Sequence, residues 1–522
     1  MSLVSKIAAF LVFSAFIPFF AFAQKTYSQV DPSPAKPRVI VTCDAELDDQ
    51  NSLVRFLLHA SDFRIEGLVY ASSEHHWTGD GHGTLWAKVN QRSYAKSGNK
   101  PVESFRWDKD CHFIDDVVDA YCASYENLKL HDSNYPTPEY IRSKVVWGNV
   151  EFASDFSKDT PGSELIKNVL LDDDDTPVFL QAWGGCSTIA RALKSIQDIY
   201  SGQKNWPELK AKVSRKAILC MSGDQDGTYP EYIAPFWPDI KSANQGMSSV
   251  SLAYNAQENC KPENVFYYSP EYIQKYYQVG PFAKVYRYWG DGVKMEVEDY
   301  FGYKNKTKEE LEAMGFEVWS ASWSKKEGPY KGIQEAGSFL AEGDTGCYLN
   351  LINNGLEGWI GNNGGWSGFA VVIPEEIKSK SMMEQMRWRR ANTPPSPDFT
   401  QAVFNSEAVR FQWTVASSFA EANHYPQIAG PRSITAFPGE SFKVKYLVSD
   451  PDKGQKVSIR WWKHATSSYK GECNMNDVNK AQTSFTVPSD AKSGDQIHLI
   501  LEATDNAELP LTKYHRLIIN VK

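Results

Sequence analysis

With 522 residues, 42% hydrophobic and 23% charged, the chain is globular in composition and too long for a single hydrophobic core, so two domains are expected. Its formal charge of −9 argues against nucleic acid as a partner, because binding a phosphate backbone rests on Lys and Arg. Eight cysteines scattered without CxxC spacing argue against a zinc site or a disulfide-dense scaffold; Cys111 and Cys122 are the nearest pair.

The N-terminus, "MSLVSKIAAFLVFSAFIPFFAFAQ", has one lysine, an apolar run and then Ala21-Phe22-Ala23, which predicts a secretory signal over 1–23 cleaved after Ala23. A retained span needs about 20 uninterrupted apolar residues, and Pro18 fits a cleaved segment better. No cysteine follows the cleavage position, so a lipoprotein anchor is not expected. The mature protein is expected to be secreted or periplasmic, without stable membrane insertion, and 24–37 reads as a linker.

From Arg38 to about Tyr425, β-rich runs ("RVIVTC", "RIEGLVYAS", "TPVFLQAW", "KAILCMSG") alternate with helical ones ("NSLVRFLLHAS", "SELIKNVLL", "TIARALKSIQDIY"). This order predicts an α/β domain over 38–425, a mainly parallel sheet with helices on both faces. Ligands of such folds sit beyond the carboxyl ends of the strands. The "DDDD" at 172–175 reads as a solvated turn. Beyond "ANHYPQIAGPRS" the helical period gives way to alternation, with Phe442, Val444, Tyr446 and Val448 on one face and turn signals at "PDKG" and "KSGD". A small antiparallel β-sandwich of immunoglobulin-like type is predicted over 427–522.

The densest chemistry lies in "VTCDAELDDQN", where Asp44, Glu46, Asp48 and Asp49 crowd six positions between a strand and a helix. Capping by Asp48 and the positive end of the helix dipole account for one or two carboxylates. Four in one loop repel one another unless a hard cation such as calcium is present.

These residues resemble nucleoside hydrolases, whose first strand ends in a D-x-D-P-G-x-D-D loop. They are more similar to the nucleoside-hydrolase-like domain of the exported cellulose-binding-protein family, where T-x-D-x-E-x-D-D runs into V-R-F-L-L, as Thr42 to Asp49 and Val54 to Leu58 do here. "GDTGCYLNLINNGL", "MRWRRANTPP" and "ANHYP" extend the resemblance over about 38–425. It implies that Asp44 binds calcium and takes a proton from the attacking water, that Asp49 and Asp344 are further ligands, and that Asp48 holds a sugar hydroxyl. "AWGGCSTIARAL" resembles the segment A-L-G-P-L-T-N-I-A-x-A-L, which puts Ser187 where a backbone carbonyl reaches the metal. The implied chemistry is hydrolysis of an N- or O-glycosidic bond through an oxocarbenium-like transition state.

The sequence departs from nucleoside hydrolases on the leaving-group side. Ala45-Glu46 replaces Pro-Gly, Gly343 stands where some of those enzymes place a histidine, and "GDQDGTYPEYIAPFWPDI" follows "KAILCMSG" in place of their Glu-Phe-Asn segment. In "SSEHHWTGDGHG", His75 and His76 are candidate proton donors and Trp77 a candidate stacking surface, with Asp80 and His82 in the same loop. Glu46 and Asp224 are further candidates for substrate contact, and Asp226 shares the "SGDQDG" turn. Two functions compete: a calcium-dependent glycosidic hydrolase, and a non-catalytic protein that grips a cellulose-like polysaccharide with its 16 Trp and 26 Tyr. Homo-oligomerisation stays open.

Overall fold

A computed structural model describes residues 25–522 apart from 90, 109, 245–248, 255, 297–298, 305, 319–334, 360–363, 370–373, 379–383, 385–387 and 390. The expected signal segment therefore lies outside the described residues, as does part of "MRWRRANTPP". Among the described residues no helix is long and apolar enough to cross a membrane.

The first domain is built on six parallel strands. After a short N-terminal strand β1 (Lys25–Tyr27), these are β2 (Arg38–Cys43), β3 (Arg64–Tyr70), β4 (Val145–Trp147), β5 (Val178–Ala182), β6 (Ala217–Met221) and β7 (Lys241–Asn244). Their order across the sheet is β4-β3-β2-β5-β6-β7. All five pairings are parallel. The chain thus moves outward one way from β2 and then returns to start again at β5. Between β2 and β5 lies the topological switch point, where a crevice opens at the carboxyl ends of the strands. The two edge strands, β4 and β7, did not stand out in the sequence because each is short.

Both faces of the sheet are covered, which is why its strands read as continuous apolar runs. Val39, Val41 and Cys43 of β2 point into one core with Leu53, Val54 and Leu57 of the following helix. Ile40 faces a second core with Leu180, Ala182, Ile189 and Leu193. The helices Pro161–Leu171 and Ser187–Tyr200 fall where the sequence predicted them. "GDTGCYLNLINNGL" makes two 3₁₀ turns, Gly343–Cys347 and Leu349–Leu351. The first of these turns is tethered from outside, since the amides of Asp344 and Thr345 both donate to Ser52 Oγ.

The C-terminal region is all-β, with strands Ser441–Lys445, Gln482–Thr486 and Met475–Asn476 in one sheet and Ser458–Lys463, Gln496–Thr504, Thr512–Val521 and Ser433–Ala436 in another. Phe442, Val444 and Tyr446 are buried as their alternation predicted, while Val448 sits at the margin of that core. The sandwich is not wholly antiparallel. Ser433–Ala436 pairs in parallel with Ile518–Val521, and β1, from the stretch expected as a linker, pairs in parallel with Phe442–Val444. Ile500, Leu509, Leu511 and Tyr514 reach back into the main core of the α/β domain.

Where the sandwich meets that domain, burial and the charge of Arg516 hold His464 and His498 neutral, at about 3 and about 4. On the same strand as Arg516, burial and Arg432 hold His515 at about 4. Because these folded values lie below that of a free histidine, the unfolded chain binds the extra protons between about 4 and 6.5. Stability is therefore complete above about pH 6.5 and falls as the pH drops toward 4. The thermal midpoint of the full chain is expected to decline over that window, and to decline less steeply in His498→Gln. Equal slopes for the two proteins would remove His498 from this account.

Candidate functional site

Strand β2 delivers the acidic loop to the switch point. The Trp183 amide donates to Thr42 O on one side, and the Ala71 amide to Cys43 O on the other. Asp44, the next residue, therefore emerges between the ends of β3 and β5, and it is completely buried. The helix that follows runs Leu47–Leu58 with Glu46 at its cap position and no side chain capping it. The expectation that Asp48 caps this helix does not hold. Asp48 and Asp49 sit inside its first turn, where the helix dipole favours their charge.

Asp49 Oδ1 accepts from the Asp44 amide at 3.1 Å, which folds the loop onto the helix start. The Asp344 carboxyl comes within hydrogen-bonding reach of Asp49 and of Ser222. Tyr254 shares its hydroxyl between Glu46 Oε1 at 3.2 Å and Asp48 Oδ1 at 3.3 Å. Two glycines make room. A Cβ on Gly184 would lie 2.6 Å from Asp44 Oδ1, and one on Gly343 would collide with Asp48 Oδ2. The histidine that some nucleoside hydrolases carry at the position of Gly343 would meet the same obstruction from Asp48.

The carboxyl groups divide electrostatically. Burial, and then the charges of their acidic neighbours, push Asp48 and Asp49 well above the usual carboxylate range. Asp344 is pushed up by burial and by Asp44 and Glu46, against the pull of Ser222. Asp44 differs: burial opposes its ionisation, but His76 and Ser73 hold it below the ordinary value. His76 Nδ1 lies 2.9 Å from Asp44 Oδ2, and its Nε2 lies 2.6 Å from Glu296 Oε2. Although burial opposes its charge, Glu296 and Asp44 push His76 up to about 10, so it is an imidazolium between two carboxylates. Arg106 pairs with the far oxygen of Glu296. Ser73 Oγ also donates to Asp44 Oδ2, whereas Asp44 Oδ1 is buried with no hydrogen-bond partner among the described residues.

Asp44, Glu46 and His76 place ligand atoms within 4.8 Å of one another, and so do Glu46, Asp48 and Asp49. A protonated imidazole has no lone pair to give, so the second, all-oxygen group suits a hard cation. Ser187 is the first residue of its helix, its amide donating to Asp226 Oδ2 at 3.0 Å and its hydroxyl buried without a partner among the described residues. Its carbonyl belongs to the start of the intrahelical ladder.

The remaining candidates are scattered. His75 lies at the partly exposed edge of the cluster, its ring 6.4 Å from that of His76, and burial followed by the charge of His76 lowers it. Trp77 is 1% exposed and packs on Phe152, so it fills the base of its loop and offers no free face for stacking. Asp80 closes a surface turn by accepting from the His82 amide. Asp224 is partly buried and is pushed up to about 7 by burial and by Asp226. Asp226 itself is committed to the Ser187 and Thr228 amides. Sequence reasoning missed Ser73, Arg106, Ser222, Tyr254 and Glu296. Ser73 and Ser222 lay in stretches already singled out, "SSEHHWTGDGHG" and "SGDQDG".

The comparisons with known proteins agree with this fold. The family model for the cellulose-binding Sde182, nucleoside hydrolase-like domain matches residues 38–369, and that for the C-terminal domain of cellulose-binding protein Sde0182 matches 444–521. Among solved structures, a nucleoside hydrolase-related hypothetical protein from Saccharophagus degradans, described as associated with carbohydrate metabolism, is similar in fold. It is 22% identical, with 94% of this chain and 100% of that one covered at a TM-score of 0.64. Murine CRIg (14% identity, 19% of this chain, 98% of that chain, TM-score 0.15) and the PKD domain from KIAA 1837 protein (19%, 18%, 81%, 0.14) overlap only a fifth of the chain or less. No curated protein matches. The chain belongs to the cellulose-binding Sde182 family, with a nucleoside-hydrolase-like α/β domain followed by that family's C-terminal domain.

Proposed function

We propose that this protein acts outside the cytoplasm and hydrolyses a glycosidic bond at the Asp44 cluster, with a hard divalent cation, calcium by the resemblance, as cofactor. The observation that carries this reading is Asp44 Oδ1, a buried acceptor without a partner among the described residues, beside carboxyl groups whose ionisation burial and mutual repulsion oppose. Asp49 would hold the cation with Glu46 and Asp48, whose ligand atoms lie within 4.8 Å of one another, and the resemblance would add Asp44, Asp344 and the Ser187 carbonyl. Bound there, it offsets the repulsion and lowers the pKa of a coordinated water.

The chain's own residues supply the rest. Asp44 accepts the proton of the attacking water as the water oxygen bonds to the anomeric carbon. The bond to the aglycone breaks, and Glu46 or His75, both partly exposed at the rim, returns a proton to the leaving atom. Asp48 and Tyr254 orient a sugar hydroxyl, and negative charge around the anomeric carbon stabilises the oxocarbenium character of the transition state. A second reading, a carbohydrate-binding protein without turnover, is favoured by the imidazolium clamp. A carboxylate whose pKa is held down by His76 is a weak base.

Two measurements test this. Nucleosides, aryl glycosides and xylo- and cello-oligosaccharides incubated with the protein and calcium should yield free sugar, and Asp44→Asn should lower the rate by about 10²- to 10⁴-fold, the usual contribution of a general base. If wild type releases no sugar from any of them, the non-catalytic reading stands. Thermal midpoints should cross over: in chelator, Asp49→Asn melts a few degrees above wild type because one repelling carboxylate is gone, and in calcium it melts below. An Asp49→Asn variant that responds to calcium as wild type does would take Asp49 out of the metal site.

A further inference from the structure

The two domains enclose a second cleft that shares no residue with the acidic cluster. Its volume is about 360 Å³, and both domains line it, a size inside the range of about 300–1,000 Å³ typical of small-molecule sites. The α/β side contributes Trp413 and Phe419, and the sandwich side contributes Gln427 and Lys513.

Three properties of this cleft point to the same kind of ligand. The first is aromatic surface. Phe419 is 42% exposed at the mouth and stacks on His424 at 3.5 Å, and His424 stacks in turn on Trp413 at 5.5 Å. The ring stack is therefore rigid and presents an apolar face to solvent, the surface that the C–H face of a sugar ring matches. The second is charge balance. Asp62 and Asp132 face Arg410 and Lys513, and Asp62 is already paired with Arg410 at 3.1 Å. A neutral ligand fits this lining better than an ionic one. The third is hydrogen-bonding capacity. Asn353 is partly exposed on the α/β wall, and Gln427 lies exposed on the sandwich wall. Neutral amides around a rigid aromatic face are the donors and acceptors that sugar hydroxyls need.

We propose that this interdomain cleft is a non-catalytic binding site for a neutral glycan segment, separate from the Asp44 site. The assignment rests on the carbohydrate reading of the protein and not on hydrolysis, so the two can fail separately. It also gives the sandwich a role in binding, since the cleft has no second wall without it.

The test is calorimetric titration of the full mature chain with cellohexaose and with xylohexaose, comparing wild type, Phe419→Ala, Gln427→Ala and Asp44→Asn. Phe419 and Gln427 are both exposed, so their variants should keep the wild-type thermal midpoint. The expected result is that at least one of the two oligosaccharides binds, that Phe419→Ala weakens it about tenfold, that Gln427→Ala weakens it severalfold, and that Asp44→Asn leaves it unchanged. Should neither oligosaccharide bind wild type, or should Asp44→Asn remove binding while Phe419→Ala keeps it, the cleft assignment is overturned. The sugar-release assay reports on hydrolysis independently of either result.

Discussion

One fully buried guanidinium holds the frame of the acidic site. Arg55, in the third turn of the helix that follows the acidic loop, bonds through Nε to Glu342 Oε2 at 2.5 Å and pairs with Glu407 of helix Thr400–Trp413. Tyr286 gives its hydroxyl to Glu342 Oε1 at 2.7 Å. With two carboxyl groups sharing one cation, burial and the charge of Glu342 push Glu407 well above the usual range, against the pull of Arg55. Removing one member of such a buried set leaves a charge unpaired, at a typical cost of about 3–5 kcal/mol. Glu342 stands two residues before Asp344, so the same contact that locks the helix also fixes where Asp344 meets Asp49. Asn51 reinforces the placement from one turn earlier, donating to Ala341 O and Arg287 O at 2.9 Å each.

Held in this frame, the carboxylates cannot move apart to relieve their repulsion. On one side of Asp44 the protein supplies positive charge itself, through His76 and the Glu296–Arg106 pair behind it. On the other side, among Asp48, Asp49 and Asp344, no described residue supplies any, and burial together with the charge of their acidic neighbours pushes all three up. Asp44 stands at the boundary with one oxygen in each environment. The histidine clamp has no counterpart in the motif by which the acidic loop resembles nucleoside hydrolases, and it lies on the side where the sequence departs from them.

Much of the fold was legible because the physics that builds it is local. Apolar runs such as "RVIVTC" and "TPVFLQAW" declare strands buried on both faces, and the order of strand and helix implies a parallel sheet. The acidic loop was legible because repulsion among four close carboxylates is visible in one dimension. Glu296 and Arg106 were not, since nothing in "KMEVEDY" or "ESFRWDK" distinguishes a charge bound for the site from a solvated one. Trp77 shows the converse. Its place beside two histidines suggested an open face, but its amide bonds to Phe105 O and its ring packs on Phe152. The strand at Lys25–Tyr27 escaped notice because its partner lies more than 400 residues away.

The sandwich bears on the site through the segment that follows Asp344. Gly346 O accepts from Ser367 Oγ at 2.8 Å, and Gly364, three residues earlier, accepts from His464 Nε2 at 2.8 Å. On the same side Lys513 Nζ donates to Asn353 O at 2.6 Å, and the Tyr514 amide to Asn354 O at 2.9 Å. The 3₁₀ turn of Asp344 is thus tied at its front by Arg55, through Glu342, and at its back by a segment that the sandwich holds in place. A turn with so little regular hydrogen bonding of its own needs both ties to keep a buried carboxyl group fixed against three others. In this chain the C-terminal domain is therefore part of the support of the acidic site, and the cleft between the domains is a consequence of how that support is built.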